Sequence, residues 1–121
     1  MKYVYILAGG ALGSLIRFWV SEFVTSKYQS AFPTGIFFVN IVGALVIGFL
    51  FGLFTVNGQI EDRLRFLLFV GFLGGFTTFS SFAYENVAML QQSNYMGFAL
   101  YTAASVLCCL LAVFSGLWLC K

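Results

Sequence analysis

The sequence predicts an all-α membrane protein with four transmembrane helices, the third of them broken. Of its 121 residues, 61% are hydrophobic and only 8% are charged, whereas soluble domains carry about 25% charged residues. Four apolar stretches are each long enough to cross a bilayer, which takes about 20 residues. Within the third stretch, two adjacent glycines and four hydroxyl side chains interrupt the apolar pattern.

The whole chain, 1–121, is predicted to be a single transmembrane domain with spans at 3–24, 33–56, 64–89 and 95–119. Pro33 is a favourable first residue for the second helix. The third connection, Gln91-Gln92-Ser93-Asn94, is short, so the last two spans should be antiparallel neighbours. The stretch from Tyr3 lacks an obvious cleavage site and is interpreted as a retained first span.

Basic residues give only a weak orientation signal. The side that holds both termini carries four of them, namely Lys2, Arg63, Arg65 and Lys121. The other side carries Lys27, and also Arg17 if that side chain extends toward it. This bias favours cytoplasmic termini but leaves both orientations open. Three glycine pairs, Gly9-x-x-x-Gly13, Gly48-x-x-x-Gly52 and Gly71-x-x-x-Gly75, indicate close helix packing within a subunit and between subunits.

The third span is predicted to break after Gly74-Gly75. Thr77, Thr78, Ser80 and Ser81 follow within six residues. One such hydroxyl would simply bond the carbonyl a turn earlier. Four of them after two helix-weakening glycines favour unwound backbone, which hydrocarbon tolerates only inside protein or beside a watery path. The freed carbonyls and amides can coordinate ions at membrane depth.

Other candidate residues each have more than one interpretation. Asn40 either lines a pathway or forms a hydrogen bond between helices. Phe76, Phe79 and Phe82 either pack in the core or present ring edges, which are positive, to a small anion. Arg17 either anchors a helix end, pairs loosely with Glu22 or attracts anions at an entrance, and Glu85 is a vestibule charge or an arginine partner. The stripe Tyr101, Ser105 and Cys109 is a weakly polar pathway face or ordinary packing.

An enzyme is not expected, because the chain has no His and so lacks the most common general base. Cys108, Cys109 and Cys120 show neither metal-ligand nor disulfide spacing and are interpreted as small apolar side chains. The net charge of +2 is too small to indicate a nucleic-acid partner.

The segment 74–82 with Glu85 closely resembles the third-helix signature of the Fluc (CrcB-type) fluoride channels. The segment 9–13 with Arg17 is similar to the family's first helix, and Pro33-x-Gly35-x4-Asn40-x2-Gly43 to its second. The resemblance implies a fluoride-selective channel in a microbial cytoplasmic membrane that exports F⁻ passively and protects the cell from fluoride. It further implies an antiparallel, dual-topology homodimer with two pores and a central structural sodium ion.

By motif position, the resemblance assigns sodium to the backbone carbonyls of Gly74 and Thr77. It assigns fluoride to Phe79, Phe82 and Asn40, with a hydroxyl track at Ser80, Ser81, Tyr101 and Ser105. The chain departs from the family pattern at Ile36, Ala44-Leu45 and Cys108-Cys109.

Two other functions remain open from the residues. A small multidrug exporter would need a carboxylate buried in the first span, and Glu22 lies near the end of that span. A non-transporting assembly subunit would use the phenylalanine and hydroxyl clusters for packing alone.

Overall fold

A computed structural model of the chain describes residues 1–28, 33–57 and 62–119, and only the backbone at residues 55–57 and 62. Predicted connection residues 29–32 and 58–61, together with Cys120 and Lys121, lie outside the described residues. The described part contains four spans that are long and apolar enough to cross a membrane, which confirms a helical multi-pass membrane protein.

The first two spans are α1 (Lys2–Lys27) and α2 (Thr34–Asn57). The third consists of α3, a continuous helical run through residues 62–76, and α4 (Ser80–Gln91). The fourth is α5 (Tyr95–Leu119), with the predicted bounds. The other predicted ends differ by one to three residues, and Pro33 precedes α2 instead of being its first helical residue.

The run α3 is not a uniform α-helix. Its ends, Asp62–Leu64 and Gly74–Phe76, are α-helical, but Arg65–Leu73 between them is a π-helix. A π-helix bonds each amide to the carbonyl five residues earlier, and longer stretches of it are rare and often close to functional sites. Nothing in the apolar sequence of this stretch predicts the wider helix.

The helices pack as two intimate pairs, α1 along α3 and α2 along α5. Glycine makes each approach possible. A Cβ atom added to Gly9 would fall against the carbonyl oxygen of Leu67 and 2.8 Å from the amide nitrogen of Phe72. A Cβ atom added to Gly48 would fall against the carbonyl oxygen of Val113. Close packing within the subunit, predicted from the glycine pairs, is therefore confirmed.

Gly9→Ala is expected to destabilise the protein, while Gly10→Ala is not. The new methyl group at Gly9 meets backbone atoms, which cannot move aside, and overpacking of this kind costs about 1–3 kcal/mol. A Cβ atom at Gly10 has only one neighbour, the carbonyl oxygen of Gly71 at 3.9 Å. Thermal unfolding of the two purified variants in the same detergent measures the difference, and equal midpoints would contradict the packing argument.

Candidate functional site

The third span is interrupted at Thr77, Thr78 and Phe79, which separate α3 from α4. Thr77 is extended, with φ −87° and ψ 158°. The predicted break is confirmed, but Gly74 and Gly75 are themselves helical. The chain leaves the helix two residues after the glycines, where the hydroxyl residues begin.

Asn40 on α2 holds the broken segment by two hydrogen bonds to one residue. Its Nδ2 donates to the carbonyl oxygen of Thr78 at 3.0 Å, and its Oδ1 accepts from the Thr78 amide at 2.9 Å. A side-chain amide thereby replaces the helical partners that Thr78 lacks. The interhelical hydrogen bond left open by the sequence is thus present. The second N–H on Nδ2 has no partner among the described residues and remains available to a ligand.

Thr78 also supports the start of the second half of the span. Its Oγ1 accepts the amide of Ser81 at 3.2 Å and lies 3.3 Å from the hydroxyl oxygen of Ser80. The N-cap residue itself, Phe79, makes no side-chain cap bond, so the Thr78 hydroxyl serves an amide of the first turn from one residue earlier. The aligned dipoles of α4 then place partial positive charge at the break.

Two backbone carbonyls at the break lose their usual helical donors. In a continuous helix the amide of Thr78 would bond to Gly74 and the amide of Ser81 to Thr77. Here those two amides donate instead to Asn40 Oδ1 and Thr78 Oγ1. The carbonyl oxygens of Gly74 and Thr77 are thereby left without the partners that a helix would supply.

The neighbouring carbonyl, that of Gly75, accepts a hydrogen bond from Nε of Arg17 at 3.0 Å. A cation near the carbonyl end of a helix stabilises it, so Arg17 anchors the end of α3. The anchoring contact, one of the alternatives for Arg17, is thus present. Glu85 is half-buried on α4 and forms no ion pair with any described residue.

A groove of about 430 Å³ opens beside the break, between α2, the third span and α5. None of the described residues that line it carries a charge. Its polar lining comes from Asn40, Thr77, Thr78, Ser105 and Cys109, together with the backbone of Gly74. Phe79 and Phe82 complete the wall near the break. The groove therefore brings together residues that are far apart in the sequence.

Four aromatic rings form a row from the groove into the core. Phe79 and Phe82 have ring centroids 5.6 Å apart, and Phe82 and Tyr101 5.1 Å apart. Phe37 follows at 6.4 Å from Tyr101. All three pairs are tilted, and their centroid distances lie in the range in which aromatic rings attract one another. Phe79 is 78% exposed at one end of the row, while Tyr101 is fully buried.

Two residues of the stripe on α5, Ser105 and Cys109, line the groove. Ser105 is only 7% exposed, lines the groove, and its hydroxyl oxygen has no hydrogen-bond partner among the described residues. Cys109, one turn later, lines it as well. Ser80 and Ser81 lie at the start of α4 and are not among the lining residues. Phe76 is 6% exposed and stacks on Phe72 at 5.9 Å, so it is a core residue.

Two features of this region were not found from the sequence. Thr78 was one hydroxyl among four, and nothing in its spacing distinguishes it as the residue bound by Asn40. Asn86 is buried on α4 and accepts a hydrogen bond from the Thr102 hydroxyl on α5 at 3.2 Å. The sequence did offer a signal for this bond, because Asn86 is an amide side chain near the end of the predicted third span.

The fold and the groove define a small multi-pass membrane protein with a helix broken at membrane depth. Residues 4–117 match the family described as CrcB-like protein, Camphor Resistance (CrcB), and the chain belongs to that family. A relative from Campylobacter fetus is 43% identical, covering 97% of this chain and 91% of the relative. One from Pseudomonas fluorescens is 44% identical, covering 96% and 94%. Both are named fluoride-specific ion channels, as is a relative from Gloeothece citriformis that is 37% identical over 100% of the chain and 98% of its own length. The relatives are thus channels, in agreement with the expectation that this chain is not an enzyme.

Asn40→Leu is expected to loosen the broken segment. Losing two hydrogen bonds, each contributing about 1 kcal/mol, should speed hydrogen exchange of the Thr78 amide by roughly ten- to thirty-fold. Mass spectrometry of peptides covering residues 77–82 in nanodiscs measures this. Asn86→Leu is the matched control, since it removes an interhelical bond elsewhere and should leave that amide protected. Unchanged exchange in Asn40→Leu would show that the pairing does not hold the segment.

Proposed function

We propose that this chain is a fluoride-selective channel that lets F⁻ leave a microbial cytoplasm passively, down its electrochemical gradient. It would thereby lower cytoplasmic fluoride and confer resistance. The names of the relatives support the substrate. The observation that carries the proposal is the uncharged, mostly apolar groove at the helix break, whose lining includes a few hydrogen-bond donors and the rings of Phe79 and Phe82.

Fluoride is small and strongly hydrated, so a selective path has to replace the hydrogen bonds of its water shell. The second N–H of Asn40 and the hydroxyl of Ser105, neither of which has a partner within the described part of the chain, are suitable hydrogen-bond donors. The edges of Phe79 and Phe82 are positive and add attraction without a full charge. Ser80, Ser81 and Tyr101 extend the proposed hydroxyl track, and Glu85 is proposed to lie at its vestibule.

The neutrality of the lining favours passage over tight binding. A channel has to bind an ion well enough to admit it and weakly enough to release it. A lysine or arginine in the lining would hold a small anion strongly, and none of the described lining residues is one. The partial charge at the start of α4 attracts anions more gently.

Two copies in antiparallel orientation are proposed to form the working channel, with two pores. The groove lies on the surface of one subunit, and Phe79 is largely exposed there. A pathway for a hydrated anion cannot be bounded by lipid on one side. A second copy would supply the missing wall, and the weak charge bias of the sequence allows both orientations.

A structural sodium ion is proposed at the interface, held by the carbonyl oxygens of Gly74 and Thr77. A hard cation prefers oxygen ligands. These two carbonyl oxygens can serve as such ligands because the amides that would bond them in a helix donate to side chains instead. The position at the negative end of α3 also favours a cation. Sodium bound there would supply fixed positive charge and join the two subunits.

The alternative function is export of organic cations, which would require a carboxylate buried in the first span. Glu22 is exposed on α1 and does not line the groove. A flux comparison of fluoride, chloride and an organic cation in proteoliposomes therefore tests the proposal, and transport of the organic cation in preference to fluoride would refute it.

Phe79→Ile and Phe82→Ile should each slow fluoride efflux from liposomes. Isoleucine keeps apolar volume but has no positive ring edge, and a loss of about 1.4 kcal/mol would slow flux tenfold. Phe114→Ile is the control, because Phe114 is 67% exposed on α5 and outside the groove lining. Normal flux in both groove variants would eliminate the role of the rings.

Purification with N-methylglucamine in place of sodium should weaken the dimer and stop fluoride flux. The measurements are subunit mass by light scattering and flux after reconstitution, each repeated after sodium is restored. Intact dimers with full flux in sodium-free buffer would refute the cation site while leaving fluoride transport in place.

Cys109 should make the channel sensitive to small thiol reagents, because its thiol lines the groove one turn from Ser105. Methanethiosulfonate treatment is expected to reduce fluoride flux at least severalfold in the parent and in Cys108→Ser. Cys109→Ser should be resistant. Equal inhibition of Cys109→Ser would place the sensitive thiol elsewhere.

A further inference from the structure

Gly43 lies on α2 three residues after Asn40 and faces the break in the third span. Positions three apart share one face of a helix, and Gly43 is buried on that face. A Cβ atom added to Gly43 would fall against the methyl carbon, Cγ2, of Thr77 and 3.4 Å from Cδ2 of Phe76. The absent side chain of Gly43 thus leaves the space that the Thr77 methyl group fills.

The Thr77 hydroxyl fixes the direction of that methyl group. Its Oγ1 donates to the carbonyl oxygen of Leu73 at 2.8 Å, and the Thr77 amide donates to the same oxygen at 3.0 Å. The threonine side chain is stiff about its Cα–Cβ bond, and Oγ1 and Cγ2 turn together from one staggered position to the next. Every other rotamer would therefore move the hydroxyl away from Leu73.

The peptide group between Thr77 and Thr78 is held from α2 as well. Its N–H donates to Asn40 Oδ1 at 2.9 Å, and in a planar trans peptide the carbonyl oxygen points to the opposite side. The Thr77 carbonyl oxygen, which is one of the proposed sodium ligands, is thus directed away from Asn40. Asn40 holds this peptide at its N–H, and Gly43 contacts the residue that carries its carbonyl.

The Thr77 side chain alone could not make room for a methyl group at position 43. Carbon atoms in contact lie about 3.5–4.0 Å apart, so either the Thr77 hydroxyl has to leave Leu73 or the Thr77 backbone has to move away from α2. In both cases Thr77 loses a contact that orients its carbonyl. Ligand distances in a cation site are held within about 0.2 Å, so a cation would be bound more weakly.

We propose that Gly43 is a positioning residue for the sodium site: by admitting the Thr77 methyl group, it sets the direction and reach of the Thr77 carbonyl oxygen. This inference rests on the sodium site of the proposed function. Gly43 has no side chain to offer as a ligand and acts only through Thr77. Gly48, on the same helix, admits Val113 of α5 instead.

Sodium titrations of the purified full-chain variants in detergent test the proposal, with N-methylglucamine keeping the ionic strength constant. The measurements are the dimer fraction by light scattering and the unfolding midpoint, because a ligand that binds only the folded protein raises that midpoint. Gly43→Ala should raise the sodium concentration for half-maximal dimerisation roughly tenfold. Adding Thr77→Ser, which removes Cγ2 and keeps the hydroxyl, should reverse most of that increase.

Gly48→Ala is the matched control for a packing defect on the same helix. It should lower the unfolding midpoint but keep the sodium requirement of the parent, and adding Thr77→Ser should not restore its midpoint. Thr77→Ser alone completes the double-mutant cycle, in which residues in direct contact give effects that do not add.

An unchanged sodium requirement in Gly43→Ala, or no recovery in its double variant, would overturn the role of Gly43 and leave the sodium site in place. A parent whose dimers and midpoint do not respond to sodium would refute the sodium site, and the role of Gly43 with it. Should Gly43→Ala yield no folded protein, a folded and sodium-dependent double variant supports the proposal, whereas an unfolded one overturns it.

Discussion

The pairing of the Asn40 amide with the backbone of Thr78 is the contact on which the arrangement at the break depends. Backbone groups in hydrocarbon have to be satisfied within the protein, and a side-chain amide offers a donor and an acceptor in the geometry of a peptide group. Once Thr78 is held by α2, its hydroxyl can support the start of α4, and the carbonyls of Gly74 and Thr77 lose their usual amides. One side chain therefore sets where the helix stops, where it restarts and which oxygens are exposed.

The same break gives opposite partial charges to two neighbouring places. The carbonyl end of α3 is negative and the amide end of α4 is positive, so one interruption can offer a cation site and attract an anion. Arg17 donates a hydrogen bond to the carbonyl oxygen of Gly75, which lies between Gly74 and Thr77 in the sequence. Full charges are kept out of the groove itself, since all its described lining residues are neutral.

Hydropathy predicted the four spans within three residues, because bilayer thickness fixes the length of an apolar helix. The break was predicted by composition, but its position was shifted, since Gly75 packs against Gly10 on α1 and remains helical. The π-helix was not predicted, as the apolar sequence of residues 65–73 fits either helix type. The interpretations of Asn40 and Arg17 stayed open because spacing within one helix does not tell which carbonyl on another helix will lie opposite. The pairing of Thr78 with Asn40 and the interhelical bond of Asn86 were not predicted for the same reason.

The open groove has a consequence for how the protein matures. A newly inserted chain exposes Phe79 and Gly74 on its outer face. The Gly74 carbonyl oxygen, which has lost its helical donor, would there face acyl chains that offer no hydrogen bond. If the proposed second copy covers that face, a chain that has not yet met the matching surface would be the form most open to proteolysis. Its lifetime should then depend on how often it meets that surface, so the steady-state amount of mature protein would rise more steeply than the rate of synthesis.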